Sequence, residues 1–391
     1  MTPTKGGLKS LPRLKKAKKK RDKNLEKIQN VDIILVFVVV LLVIIGVIMV
    51  FSASFTLAGQ REIFGFDHAY FLHRHIPFAV FGLFAMWFAS KVNYRLLVKF
   101  ITPLYILSVG LLIYVFIYSL ITGSDGRWIS VPVIGQFQPS ELAKAALIML
   151  LARNIGLNNA LRSTRGIFNS LFHVGLIAGL TGTRDLGTAI VIGATGMSII
   201  FIASKPFWRF VILGAGAISG ILGYLYLATQ QEGAWRGARV LAWQDPFAYM
   251  YTTGWQIVHS LYAIASGGLF GLGIGQSRQK SILPEAQTDV IFAVIIEELG
   301  LINAGFIIFL FIVLIWRGIV IAGNARDNFG SLLAAGVVFN IAFGALINIA
   351  VTSNVIPNTG IPLPFISYGG TALLVTLGLV GITLNVSRYV K

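Results

Sequence analysis

Long apolar runs, separated by short polar joins, follow one another along almost the whole chain. The first run, from Val31 to Ala53, exceeds the roughly 20 residues that a helix needs to cross about 30 Å of hydrocarbon. The runs are continuously apolar, whereas the strands of a membrane barrel alternate between apolar and polar residues. The pattern therefore predicts an all-α, polytopic membrane protein with about ten transmembrane helices. The predicted spans are 32–54, 75–92, 99–121, 139–154, 166–182, 185–204, 207–228, 289–319, 331–354 and 365–389.

One join is much longer than the others, because residues 230–288 lie between two predicted spans. Long segments beside minimal joins are usually functional. Within this large loop, apolar residues of 254–268 fall at helical spacing, which predicts an amphipathic helix on or in the outer leaflet. The joins 122–140 and 354–370 are similarly rich in Gly, Pro and aromatic residues. Three structured loops on one side predict a site that faces the outside of the membrane.

Composition supports the membrane assignment, and the distribution of charge predicts the orientation. The 391 residues are 56% hydrophobic and only 12% charged, and their mean hydropathy is +0.79, which is too apolar for a soluble protein. Much of the net charge of +17 lies in the tail 1–30, which we expect to be cytoplasmic and to contact anionic membrane lipids and not nucleic acid. Basic joins on the same side place the C-terminus in the cytoplasm as well. The remainder, 31–391, is predicted to be one transmembrane domain.

An aspartate stands at the boundary between the large loop and the span that follows it. Asp289 can be the N-cap of the helix, a role that Thr288 fits equally well. It can also be a partly desolvated carboxylate whose raised pKa suits a general base. The spacing alone does not choose between these two interpretations.

Two more sets of charges fall within predicted spans, where each needs a partner in the interior of the bundle. For Glu297 and Glu298 we prefer a structural hydrogen-bond or ion-pair site, and a proton or cation path is the alternative. Glu141 and Lys144 are three residues apart, on one helical face, and this spacing predicts a salt bridge.

Several cations occur in joins that the charge distribution places outside. They are Arg127, which precedes Trp128, and Arg236, Arg239, Arg278 and Lys280. Guanidinium groups match the geometry of phosphate, so an anionic ligand is one explanation. Contact with lipid headgroups explains the same residues equally well, and a tryptophan at the interface is commonly a membrane anchor.

An ordered set of motifs resembles the SEDS family, which includes FtsW, RodA and SpoVE. The motifs are GSDGRWI, QPSELAK, SLYAIASGGLFGLGIGQSRQK, LPEAQTD followed by IFA and EELG, and PLPFISYGG. They extend over nearly the whole chain after the basic tail. EELGL and the FSAS that ends the first span resemble the FtsW and SpoVE branch more than RodA. One departure is TRDLGT, in which Arg184 stands where the family often has proline.

The resemblance implies a peptidoglycan glycosyltransferase that polymerises lipid II at the outer face of the bacterial cytoplasmic membrane during cell division. It implies that Asp289 is catalytic, that Trp128 beside Arg127 matters for activity, and that the pair of Glu141 and Lys144 supports the site. The expected partners are lipid II, a class B penicillin-binding protein and other proteins of the division machinery.

The hypothesis that follows makes Asp289 the general base and undecaprenyl pyrophosphate the leaving group. We expect cations to bind the substrate and stabilise the leaving group, with or without a divalent cation, Mg²⁺ or Mn²⁺. These cations are Arg127, Arg236, Arg239 and Lys280. Supporting roles are assigned to Glu285, Glu297, Glu298, Ser367 and Tyr368. Alternatives are a lipid II flippase, a division scaffold without activity of its own, and a RodA-like role in elongation.

Overall fold

The computed structural model describes residues 30–123, 126–131, 135–204, 223 and 235–389. Its helices are α1 (Ile33–Gln60), α2 (Tyr70–Lys91), α3 (Val98–Thr122), α4 (Pro139–Gly156), α5 (Thr164–Gly182), α6 (Leu186–Ala203), α7 (Trp235–Gln244), α8 (Trp255–Gly267), α9 (Ile291–Asn324), α10 (Asn328–Thr352) and α11 (Gly370–Ser387). Short 3₁₀ helices are Glu62–Phe64, Tyr94–Leu97, Ala160–Arg162 and Gln279–Ser281. The strands β1 (Ile129–Val131) and β2 (Gly135–Phe137) form an antiparallel pair.

Seven helices in the described ranges are long and apolar enough to cross a membrane: α1, α2, α3, α6, α9, α10 and α11. The helices α4 and α5 occupy two further predicted spans. The prediction of an all-α, polytopic membrane protein is therefore confirmed. The predicted span 207–228 lies outside the described residues except for residue 223, as does nearly all of the basic tail. The predicted amphipathic helix of the large loop is present as α8.

Large apolar side chains form the outer surface of this bundle. Phe81 and Phe84 on α2 and Phe100 on α3 are each about 60% exposed. Exposing such side chains to water is unfavourable, whereas exposing them to the hydrocarbon of a membrane is not. The interior is equally apolar, with Leu151 on α4 and Leu333 on α10 fully buried. A protein that is hydrophobic both inside and outside fits a bilayer.

Ion pairs close one end of the bundle, beyond the last turn of α9. Asp327 accepts a hydrogen bond from the Gly330 amide at 2.8 Å and so caps α10. The same carboxylate accepts from Arg95 Nη2 at 2.7 Å and from the Tyr94 hydroxyl at 2.8 Å. Because Asp327 follows α9 and Asp289 precedes it, the candidate site lies at the opposite end.

The helix α9 is interrupted at Gly300, whose φ of 83° and ψ of 169° are not helical. The carbonyls of Glu297 and Glu298 accept hydrogen bonds at 2.9 Å from amides of the glycine-rich segment 268–273. The Leu301 amide donates back to that segment, also at 2.9 Å. Irregular backbone inside a membrane protein requires such internal partners. The sequence predicted an unbroken span here, so the break at Gly300 is a correction.

Candidate active site

Asp289 lies in the turn before α9 and does not cap it. The helix begins at Ile291, and the N-cap position is Val290, with no side-chain cap. The hydroxyl of Thr288 donates to the Glu285 carbonyl at 2.9 Å, so neither N-cap interpretation describes the structure. The Asp289 carboxylate is half-buried. It does not cap the helix, so capping does not explain an aspartate at this position.

An asparagine in the last turns of α10 holds the backbone of Asp289. Asn348 on α10 is fully buried, and its Nδ2 donates to the carbonyls of Asp289 at 2.8 Å and Ile361 at 2.7 Å. Gly360, with φ of 67°, lies against the carboxylate, since a Cβ added there would be 3.1 Å from Asp289 Oδ2. The loop before α11 and the helix α10 therefore fix this carboxyl group from two sides.

The supporting residues predicted in PLPFISYGG lie along the same segment of backbone. Ser367 Oγ donates to the Thr288 carbonyl at 2.6 Å and accepts from the Leu363 amide at 2.7 Å. The amide of Tyr368 donates to the Gln287 carbonyl at 2.9 Å. The loop before α11 therefore also holds the backbone of the two residues that precede Asp289.

The electrostatic environment makes Asp289 a weak acid. Burial, together with the negative charges of Glu285 and Asp185, raises the pKa of its carboxyl group from 3.8 to about 7. The positive charges of Arg127 and Arg239 act against this rise. A carboxylate with a pKa near neutrality, close to cations, is suited to take up and release a proton.

The cations predicted to bind the substrate differ in their contacts. Arg127 is half-buried and its Nε donates to the Arg184 carbonyl at 3.0 Å, next to Trp128, which is 42% exposed. Arg239 Nη1 donates to a loop carbonyl, that of Asn358, at 3.4 Å. The side chain of Arg236 lies outside the described residues.

Lys280 is a correction to the predicted set of substrate-binding cations. Its side chain is buried, and Nζ lies 2.9 Å from Glu298 Oε1 and 2.7 Å from the Gly275 carbonyl. The second oxygen of Glu298 accepts from Ser52 Oγ of α1 at 2.6 Å. The charge of Lys280 is therefore already neutralised by a carboxylate, and a leaving pyrophosphate is not its partner.

Glu297 holds the start of a 3₁₀ helix in the large loop. Its carboxylate accepts from the Ser277 hydroxyl and from the amides of Arg278 at 3.0 Å and Gln279 at 3.3 Å. With the ion pair of Glu298, this gives each glutamate of α9 a complete set of donors. Both glutamates thus form the hydrogen-bond and ion-pair site that we preferred, and they tie the large loop to α9.

The predicted pairing within α4 is also present. Lys144 Nζ lies 2.8 Å from Glu141 Oε1, and both side chains are largely buried. Thr195 and Asn340 lie close to the Lys144 side chain. The role of the pair in supporting the site stays a prediction.

Sequence reasoning missed residues that contribute to the site. Asn348 could have been found, because an amide in an apolar helix is unusual and requires partners. Asp185 was noted only as part of a motif departure, yet it is buried, caps α6 through the Thr188 amide at 2.9 Å and acts on Asp289. No sequence signal joins Asp185 to Asp289, since α6 and α9 are far apart in the chain.

Comparisons with known proteins agree with this architecture. The model of the cell cycle protein family of FtsW, RodA and SpoVE matches residues 32–391. Stage V sporulation protein E of Bacillus subtilis (strain 168) is 40% identical over 353 residues, which are 88% of this chain and 93% of that protein. A probable peptidoglycan glycosyltransferase FtsW of Geobacter metallireducens is 38% identical over 353 residues, with coverage of 88% and 92%.

Solved structures show the same fold. A chain of the structure described as "Structural coordination of polymerization and crosslinking by a peptidoglycan synthase complex" has a TM-score of 0.73 at 25% identity, covering 92% of this chain and 98% of that chain. RodA of Thermus thermophilus has a TM-score of 0.64 at 24% identity, covering 92% and 97%. The family resemblance predicted from the motifs is confirmed. From its match along residues 32–391 and its identity to these relatives, the chain belongs to the cell cycle protein family of FtsW, RodA and SpoVE, the SEDS proteins.

Proposed function

We propose that this protein is a peptidoglycan glycosyltransferase that polymerises lipid II, with Asp289 as its general base. The observation that carries the proposal is the half-buried carboxylate of Asp289, with a pKa near 7, held rigidly beside Arg127 and Arg239. A base of this strength at neutral pH contributes about 100- to 10,000-fold to a rate. The names of the FtsW relatives support the same activity.

In the proposed reaction, Asp289 removes the proton of the GlcNAc 4-hydroxyl of one lipid-linked disaccharide. The oxygen then attacks the anomeric carbon of the other chain, and the bond from that carbon to the pyrophosphate oxygen breaks. Undecaprenyl pyrophosphate leaves with the electron pair, and Arg127 and Arg239 stabilise its negative charge. Arg236, predicted for the same task, lies outside the described residues.

A divalent cation is a separate question. In the described ranges, no three His, Asp or Glu side chains come together as ligands for one ion. Polymerisation assays with and without a chelator test whether the activity depends on Mg²⁺ or Mn²⁺.

The proposed setting is the outer face of the bacterial cytoplasmic membrane, with both termini in the cytoplasm. There, Asp289 would meet the sugars of substrates whose lipid tails stay in the bilayer. A class B penicillin-binding protein is the proposed partner, and the division machinery the proposed context. A structural relative described in terms of polymerization, crosslinking and a synthase complex supports this partnership.

Purified protein in detergent with lipid II tests the activity. We expect glycan polymer from the wild type, and a loss of at least about 100-fold for Asp289→Asn with folding intact. Asp245→Asn is the matched control, because Asp245 is an exposed carboxylate of the same large loop. Polymer formed without a second leaflet excludes pure transport, and loss with Asp289→Asn excludes a passive scaffold. Wild-type turnover by Asp289→Asn would refute the proposed base.

The division role has its own test, because a RodA-like role in elongation uses the same chemistry. Cells depleted of their division polymerase should resume septation when this chain is expressed together with its cognate partner. Rescue of rod shape in cells depleted of the elongation polymerase, without rescue of septation, would favour the elongation role.

A further inference from the structure

A cleft opens near the site, between the ends of α3 and α5 and the start of α4. Leu112 and Val115 form its apolar wall, two to three turns before the end of α3. Arg127 and Arg184, which follow α3 and α5, form its polar wall. The lining is therefore apolar toward the middle of α3 and cationic beyond the ends of α3 and α5, which matches a lipid with an anionic head.

Both arginines of the cleft have guanidinium donors that form no hydrogen bond with the residues that the structure describes, apart from the Nε of Arg127. Each arginine is half-buried. The Nε of Arg127 donates to the backbone carbonyl of Arg184, which orients the two residues and leaves the remaining nitrogen atoms for a ligand. Among the described residues, no carboxylate forms a salt bridge with either guanidinium, and a half-buried cation is costly unless an anion binds it.

A buried hydroxyl in the same cleft also lacks a partner. Thr181 is 4% exposed, and its Oγ1 has no hydrogen bond within the described ranges. On the same helix, by contrast, Ser170 Oγ donates to the carbonyl one turn earlier at 2.9 Å. Buried polar groups are rarely left unsatisfied, and each exception requires an explanation.

The acidic residue of the cleft does not oppose an anion strongly. Asp185 is buried, and its oxygens accept from the amide and hydroxyl of Thr188 at 2.9 Å and from Gln138 Nε2 at 3.4 Å. Its charge is thus bound to the start of α6. With Arg127 and Arg184 in the same lining, the local charge stays positive.

We propose that this cleft binds the phosphate of a lipid, with Arg127 and Arg184 on the phosphate oxygens, Thr181 donating a hydrogen bond, and the apolar wall holding the adjoining hydrocarbon. Guanidinium groups bind phosphate in bidentate fashion, so two of them can hold a pyrophosphate. Where the inference rests on the proposed function, the lipid is the polyprenyl pyrophosphate of the glycosyl donor. The other source of the same chemistry is the headgroup of an anionic phospholipid.

Equilibrium binding of radiolabelled undecaprenyl pyrophosphate to the full chain, in phospholipid-free detergent, tests the proposal. Loss of one charged contact should weaken binding about ten- to hundredfold for Arg184→Gln, and Arg184→Lys should retain part of the affinity. Thr181→Val should weaken binding while leaving or raising the thermal midpoint, because it removes an unsatisfied hydroxyl. Arg165→Gln is the matched control, since Arg165 is exposed at the opposite end of α5.

Competition identifies the source of the phosphate. Failure of phosphatidylglycerol to displace the probe supports the donor pyrophosphate, whereas equal displacement assigns the cleft to a phospholipid headgroup and overturns the donor assignment. Unchanged affinity of Arg184→Gln and Thr181→Val overturns the site altogether. Asp289→Asn separates this inference from the proposed function, because it should bind the probe and fail to polymerise.

Discussion

Replacing the proposed base should stabilise the protein while it abolishes activity. The substitution Asp289→Asn keeps the shape of the side chain and removes its charge. In the native state the carboxyl group has a pKa of about 7 against 3.8 for the free group. The native protein therefore holds the proton more tightly than the unfolded chain does, and ionisation of Asp289 costs stability.

The size of this cost follows from the shift in pKa. A shift from 3.8 to about 7, at about 1.4 kcal/mol per pKa unit, amounts to about 4 kcal/mol. The favourable contribution of the protonated group is complete below the unfolded pKa and is lost as the pH rises through about 7. Asp289→Asn should thus gain about 4 kcal/mol over the wild type at about pH 8 and about 2 kcal/mol at about pH 5.5. Below about pH 4 the gain should vanish.

Unfolding titrations of the detergent-solubilised protein measure this gain at each pH. Asp245→Asn again serves as control, because it removes an exposed carboxylate of the same large loop. The polymerisation rate of the wild type should fall about tenfold per unit of pH well below about 7, because the base becomes protonated. A gain in stability that is independent of pH, or a destabilised Asp289→Asn at about pH 8, would refute the reasoning.

Two further substitutions test the surroundings of the base and the clamp within the bundle. Gly360→Ala places a methyl group 3.1 Å from Asp289 Oδ2 and should reduce the rate of polymerisation. Gly65→Ala is the control, because Gly65 has nearly the same φ, 66°, but open space around it. Equal polymerisation rates for the two variants would contradict this prediction. Glu298→Gln leaves Lys280 buried without its counter-charge and should cost about 3–5 kcal/mol of unfolding free energy. The double variant with Lys280→Met should recover most of that loss in the same titration, and a double variant no more stable than the single one would speak against a buried ion pair.

The charges within the spans show how far sequence reasoning reaches. A carboxylate in hydrocarbon requires a partner, so the need of Glu298 for one was predictable. The identity of that partner was not, because Lys280 is 18 residues away in a loop and Ser52 is 246 residues away on α1. The rule for charge distribution counted Lys280 as an external cation, and only tertiary packing buries it.

The backbone around the base shows the same limit. A single glycine in an apolar run is compatible with a continuous helix, so the break of α9 at Gly300 depends on a segment that supplies the missing hydrogen bonds. The position of Asp289 likewise depends on Asn348, 59 residues further along the chain. Local patterns predict the helices and the chemically active groups, and long-range contacts decide where those groups point.

These long-range contacts have a common consequence for catalysis. The first part of α9, between Asp289 and Gly300, is held at one end by Asn348 and Ser367. At its other end, the broken backbone is bonded to the segment 268–273, and the glutamate side chains are bonded to the loop that leads back to Asp289. The position of a general base must match the productive geometry to within about half an ångström. Contacts from surrounding residues provide this precision. The break in α9 therefore makes the helix and the large loop one rigid unit, and the carboxylate is positioned by both.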